Sequence, residues 1–324
     1  MSQGTMDETI KKVVRDAYGG IARRFVEEPL SSTGERASRA SCCGPSPAAL
    51  GSAEEKAAQT SCCGPSETSA EATTAASRFY SDQELTGLPD SVTGASLGCG
   101  NPVAIAGLQP GEVVLDLGSG GGIDCFLAAE KVGPEGRVIG LDMTPDMIKL
   151  ARRNAKKVGA TNIDFRFGEM EDMPLPDAWV DVIISNCVIN LSPDKDAVFR
   201  EAYRVLRPGG RLNVSDIVVD GDLPQPIREN LDAWAGCVAG ALDESDYLDK
   251  IRAAGFEKVE ILSRGYVDIE ETTEWEEVQA MAVREDDEVI QGEEMQALLT
   301  GAGLSPHDLS RKVASIKVRA YKPA

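Results

Sequence analysis

The chain has 324 residues, 42% of them hydrophobic, and a net charge of −20, enough for one large or two small domains with a real core. A surface this acidic repels phosphate backbones and argues against nucleic acid, while it tolerates a cationic cofactor. No stretch reaches the roughly 18 apolar residues of a membrane span, and residues 1–12 are polar and charged, so no membrane partner and a cytoplasmic, monomeric chain are expected.

Apolar residues at Met6, Ile10, Val13, Val14, Ala17, Ile21 and Phe25 predict an amphipathic helix over 6–28, with Gly19-Gly20 as a candidate break. Residues 31–77 are rich in Ala, Ser, Gly, Thr and Pro and too poor in large apolar groups to bury a core. Within them Ser41-Cys42-Cys43-Gly44-Pro45-Ser46 recurs as Ser61-Cys62-Cys63-Gly64-Pro65-Ser66, offset by twenty residues. The repeat is too short for a solenoid and reads as a duplicated linear element built around a cysteine pair.

From Gly111 strands and helices alternate. Strands are predicted at 113–117, 137–141, 163–167, 179–185 and 211–219, and helices at 123–132, 145–158 and 195–206. The last of these helices stops before Arg207-Pro208-Gly209-Gly210. A further helix over 244–254, a strand over 258–262, a partly helical acidic stretch over 269–294 and an antiparallel strand over 313–321 follow. This order is that of an α/β fold: a doubly wound, Rossmann-like sheet, mostly parallel with an antiparallel last strand, plus a smaller C-terminal α+β part.

The first strand runs into Asp116-Leu117-Gly118-Ser119-Gly120-Gly121-Gly122, a turn that lets backbone approach a ligand at the carboxyl edge of the sheet. Ile123 stands at the third glycine of the dinucleotide fingerprint, so that fingerprint is incomplete. Asp116, just before Gly118 and Gly120, suits a ligand with an amino group and a positive sulfur better than a pyrophosphate. S-adenosylmethionine is the expected cofactor. Asp142, ending the second strand, can accept hydrogen bonds from ribose hydroxyls, and Glu169-Met170 can face an adenine ring. Ser119, Met143 and Asn186 complete the candidate contacts.

Eight cysteines in such a chain suggest buried, metal-binding or catalytic thiols rather than a static disulfide scaffold. Cys99, Cys187 and Cys237 fall in regions that converge above the carboxyl edge, whereas Cys125, on the helix after the glycine loop, reads as a small buried hydrophobe. The segments Ser96-Leu97-Gly98-Cys99-Gly100-Asn101-Pro102, Ser185-Asn186-Cys187-Val188-Ile189-Asn190-Leu191 and Gly236-Cys237-Val238-Ala239-Gly240-Ala241-Leu242, together with the glycine loop, resemble the arsenite methyltransferase family. The resemblance runs over 79–262. The first helix, with Tyr18-Gly19, and the cysteine-pair segment also resemble that family.

The resemblance implies a class I methyltransferase acting on trivalent arsenic, as arsenite or its glutathione conjugate, with arsenic detoxification as the role. It divides the chain into an N-terminal helix (1–30), a cysteine-pair segment (31–78), the cofactor domain with its arsenic site (79–265) and a C-terminal helical insert and final strand (266–324). It implies that Cys99, Cys187 and Cys237 bind the metalloid, and that an upstream thiol forms a disulfide with Cys99. Cys42, Cys43, Cys62 and Cys63 are the candidates for that redox role, served by a thiol reductant such as glutathione or thioredoxin. Adjacent cysteines, about 3.8 Å apart at Cα, seldom bond to each other. Each pair therefore suits a distant partner or a captured arsenic, unless its thiols are incidental to an unstructured tail.

Thiolates prefer soft ions, and trivalent arsenic in a pyramid of three sulfurs keeps a lone pair. No proton has to be removed, which fits a chain whose single histidine, His307, lies far from the motifs. Two other readings use the same residues: a class I methyltransferase for a small organic molecule such as a quinone or sterol, and a thiol-based metalloid-binding protein without turnover.

Overall fold

A computed structural model describes residues 3–26, 75–228, 239–266, 300, 301, 303 and 312–324. The helices are α1 (Gln3–Val26), α2 (Asp82–Leu85), α3 (Asp90–Thr93), α4 (Pro102–Ala106), α5 (Ile123–Val132), α6 (Pro145–Val158), α7 (Lys195–Val205), α8 (Gln225–Arg228) and α9 (Glu244–Ala253). The strands are β1 (Val113–Leu117), β2 (Arg137–Asp142), β3 (Ile163–Phe167), β4 (Val180–Asn186), β5 (Leu206–Val219), β6 (Glu257–Tyr266) and β7 (Val313–Tyr321). They form one sheet in the order β3-β2-β1-β4-β5-β7-β6. β1 to β5 are parallel, and β7 runs antiparallel to both β5 and β6. The expected doubly wound sheet with an antiparallel last strand is therefore present.

The pleat divides the core between the two faces, because successive strand residues point to opposite sides. Leu115 and Leu117 of β1 join Val180 and Ile183 of β4 beneath α7 and α9. Val114 joins Val138, Val182 and Ile184 beneath α4, α5 and α6. Because these strands run parallel, the loops that follow β1, β2 and β4 meet at one carboxyl edge.

Two local readings differ from the structure. α1 passes through Gly19-Gly20 without a break. A Cβ on Gly19 would lie 3.1 Å from Arg23 Nη1 and 3.6 Å from Asp146 Oδ2, so the glycine serves the close approach of α1 to α6, where Ile21 and Ala22 meet Met147 and Leu150. The Arg207–Gly210 stretch, left outside the strand expected over 211–219, belongs to β5. Leu206 pairs with Val180, the register shifts, and Arg211 then pairs with Val182. Gly209 N–H donates to Lys322 O (3.1 Å) and Lys322 N–H to Gly210 O (2.9 Å), which holds this stretch extended. The antiparallel last strand, β7, is inserted between β5 and β6. The acidic stretch read as partly helical lies outside the described residues.

A carboxylate is buried inside the α7/α9 face. Asp216 of β5 is fully buried and accepts from the Tyr247 hydroxyl at 3.0 Å. Burial pushes Asp216 up to about 7, against the pull of the Ile217 N–H and of Tyr247. Tyr247→Phe removes a donor that favours the carboxylate. It is expected to cost about 1–3 kcal/mol of stability. The cost is small when Asp216 is protonated and reaches its full size as pH rises past about 7. Urea unfolding of both proteins at mildly acidic and at alkaline pH measures it.

Candidate functional site

The glycine loop after β1 turns sharply because Gly118 (φ +66°) and Gly122 (φ +100°) take left-handed backbone. A Cβ on Gly118 would lie 2.2 Å from Val188, whereas one on Gly120 would meet nothing within 4 Å. The loop thus leaves open space over Gly120 at the floor of a cleft with about 870 Å³ of empty volume, its mouth included.

Gly118, Ser119, Gly120, Asp142, Met143, Met170, Asn186 and Cys187, all candidates from sequence, line this cleft. Asp142 accepts from Gly120 N–H (2.9 Å) and Thr144 N–H (2.8 Å), which fixes its carboxylate at the wall. Ser119 is 6% exposed and its hydroxyl has no protein partner. An unpartnered hydroxyl, a fixed carboxylate and an open glycine floor suit the amino, carboxylate and ribose groups of S-adenosylmethionine.

Two candidates stand off the wall. Asp116 shares the Val114 face of β1, buried behind the loop, where its carboxylate accepts from the Cys125 thiol at 3.2 Å. Cys125 is fully buried, as read, although it carries this polar contact. Glu169 is drawn instead to α1, pairing with Lys11 (2.6 Å) and Arg15 (3.4 Å). A second carboxylate that lines the cleft, beside Asp142, is Asp124, in the first turn of α5. Sequence reasoning passed over it, since one glycine loop gives no means of ranking the acids on either side of it. Burial pushes Asp124 up to about 6, against hydrogen bonds from Asn186 and Tyr80. Asp116 is pushed up as well, by burial and then by the neighbouring Asp124 charge.

Beside the cleft, the loop before α4 meets the end of β4. Cys99 and Cys187 are joined by a disulfide with their Cα atoms 5.7 Å apart. The sequence implied free thiolates here and a bond from Cys99 to an upstream thiol. The structure pairs Cys99 with Cys187 because β4 delivers Cys187 directly under the Gly98–Gly100 loop. Cys187 has φ +59°, a left-handed residue directly after the strand, and its N–H donates to Ser215 O of β5 at 2.7 Å. Ser315 of β7 donates to Cys99 O at 3.0 Å, so the C-terminal strand reaches the site. Cys237, Cys42, Cys43, Cys62 and Cys63 lie outside the described residues.

Asn186 ties the two halves together. Its Oδ1 accepts from Cys99 N–H (3.1 Å), and its Nδ2 donates toward Gly100 O (2.8 Å), Tyr80 Oη (3.0 Å) and Asp124 Oδ2 (3.2 Å). The glycines around Cys99 make room for this arrangement. A Cβ on Gly98 would lie 2.3 Å from Asn186 Nδ2, and one on Gly100 would lie 1.9 Å from Ser215 Oγ. Gly98→Ala must push Asn186 aside and is expected to cost about 1–3 kcal/mol by overpacking. The drop in melting temperature relative to wild type measures it.

A family model described as "Methyltransferase domain" matches residues 108–280. The chain is 42% identical over 254 residues to the arsenite methyltransferase of Halobacterium salinarum, a match covering 78% of this chain and 59% of that protein. It is 40% identical to the arsenite methyltransferase of Aquipseudomonas alcaligenes over 59% of this chain and 56% of that one. The chain thus spans somewhat more than half the length of these curated relatives. The crystal structure of an arsenic(III) S-adenosylmethionine methyltransferase from Chlamydomonas reinhardtii superposes with a TM-score of 0.59 at 35% identity, covering 78% of this chain and 75% of that one.

Proposed function

Because this chain belongs to the family of arsenic(III) S-adenosylmethionine methyltransferases, we propose that it transfers methyl groups to trivalent arsenic. The observation that carries this reading is the meeting of Cys99 and Cys187 beside the glycine-floored cleft, with Asn186 bonded to the backbone on one side and to the cleft wall on the other.

Gly118, Ser119, Gly120, Asp124, Asp142 and Met170 hold S-adenosylmethionine, which supplies an electrophilic methyl group on a cationic sulfur when bound. Once reduced, Cys99 and Cys187 offer two thiolates to arsenite, and Cys237 provides the third. Soft sulfur ligands hold soft arsenic in a pyramid. The protein's part is to aim the lone pair at the cleft, and alignment of this kind is worth up to roughly 7–11 kcal/mol. Arsenic carries no proton to remove, so the site needs no general base.

Methylation takes arsenic formally from trivalent to pentavalent. Two thiols return two electrons as they close a disulfide, and a thiol reductant, glutathione or thioredoxin, reopens it. Cys42, Cys43, Cys62 and Cys63 are the proposed relay. The substrate is arsenite or its glutathione conjugate, the role is arsenic detoxification, and the enzyme works as a cytoplasmic monomer. No described helix is long and apolar enough to cross a membrane.

The test is product analysis after the protein is incubated with arsenite, glutathione and methyl-labelled S-adenosylmethionine. Labelled methylarsenicals are expected with the reductant and none without it. Absence of methylated arsenic in the fully reduced sample overturns the reading.

A further inference from the structure

Tyr80 is 3% exposed and belongs to the core beneath α4 and α5, yet its hydroxyl points at the site. It donates to Asp124 Oδ1 at 2.9 Å and accepts from Asn186 Nδ2 at 3.0 Å. Its place is set from the chain around it. Ser81 and Glu84 form a reciprocal cap at the start of α2, and Glu84 also accepts from Asn101 Nδ2 at 3.1 Å. Asn101 in turn caps α4 through the Ala104 N–H at 2.9 Å. The turn carrying Tyr80 is therefore fastened to the segment that carries Cys99.

We propose that Tyr80 is a positioning residue. Its hydroxyl locks Asn186 in one orientation, so that a single hydrogen-bonded chain runs from Asp124 on the cofactor wall to the backbone of Cys99. The Asn186 amide has two N–H groups and three acceptors within reach. With Tyr80 in place the amide is pinned on its donor side, and its oxygen must face Cys99 N–H. Without the hydroxyl, Gly100 O and Asp124 Oδ2 remain as acceptors, but the Asp124 carboxylate loses the donor that fixes it and can turn from the amide, which loosens the Asn186 oxygen that holds Cys99 N–H. The link fixes where the Cys99 sulfur stands relative to the cleft, and its meaning for arsenic rests on the function proposed above.

Tyr80→Phe keeps the ring that packs in the core and removes only the hydroxyl. In the reduced full-length protein, amide hydrogen exchange at Cys99 is expected to quicken about tenfold, while exchange along β1 stays unchanged. The KM for arsenite should rise about tenfold, with S-adenosylhomocysteine affinity within about threefold of wild type. Asn186→Ala breaks the same chain, so the double variant should be no worse at the Cys99 amide than the worse single one. Unchanged exchange at Cys99 in Tyr80→Phe overturns the proposal, as do additive effects in the double variant. Exchange that quickens equally throughout the sheet assigns Tyr80 a packing role only and also overturns it. The exchange readout does not involve arsenite. If wild type methylates no arsenic, the proposed function falls while this inference is still decided.

Discussion

Cys187→Ser is expected to lower methyl transfer to arsenite by on the order of 100-fold or more, while S-adenosylhomocysteine affinity stays within about threefold. Serine keeps the size of the side chain and its φ of +59° but offers a hard oxygen that trivalent arsenic binds poorly. The loss is not one of binding alone. With one sulfur gone, the arsenic pyramid tilts and its lone pair swings off the cleft, and small misplacements of reacting atoms carry large rate penalties. Cys99→Ser should behave alike, since the two sulfurs lie within bonding distance of each other. Kinetics with arsenite and calorimetry with S-adenosylhomocysteine separate the two effects. Full activity toward arsenite in Cys187→Ser would remove Cys187 from the set of sulfurs that hold the arsenic.

Asp124→Asn is expected to weaken S-adenosylmethionine binding about 10- to 100-fold at alkaline pH, as loss of a close, desolvated charge pair does. Asp124 is held up at about 6 chiefly by burial. A bound cation favours its ionised form, so wild-type affinity should fall as pH drops through about 6. The variant should lack that slope. Stability runs the other way in the protein without ligand. The unfolded chain releases this proton near the ordinary carboxylate value, whereas the folded chain keeps it to about 6. Raising pH across that window therefore favours unfolding, by up to about 3 kcal/mol for a shift of this size. Calorimetric titrations and urea melts across the window check both slopes. An Asn variant with the wild-type pH slope for binding would assign the cation contact to another group.

The fold was legible where apolar runs end in glycine. β1 and the loop after it could be placed almost residue by residue, because a buried parallel strand and a left-handed turn each demand particular side chains. The short helices α2, α3 and α4 were not legible, since four or five residues show no periodicity. Arg207–Gly210 misled because Pro and Gly mark turns locally. Here the partner strand and Lys322 hold them extended, which no local pattern records. At the site, the cysteine loop was read from its place at the carboxyl edge and from its family resemblance, but the reason for its glycines was not. Gly98 leaves room for Asn186 and Gly100 for Ser215, and both partners come from more than 80 residues away in the chain. Asp116 was favoured over Asp124 for the same reason: strand pleat and helix phase decide which carboxylate meets the cleft, and both are long-range outcomes.

The insertion of β7 between β5 and β6 sets an order on biosynthesis. A chain emerging from the ribosome can pair β1 through β5 early, but β6 has no neighbour until Val313–Tyr321 has left the exit tunnel. Ser315, which donates to Cys99 O, arrives on that same strand. The cysteine loop thus gains its β7 tether after its contacts with Asn186 of β4 can form, and a nascent chain stalled before β7 carries a cofactor cleft whose Cys99 loop is held from one side.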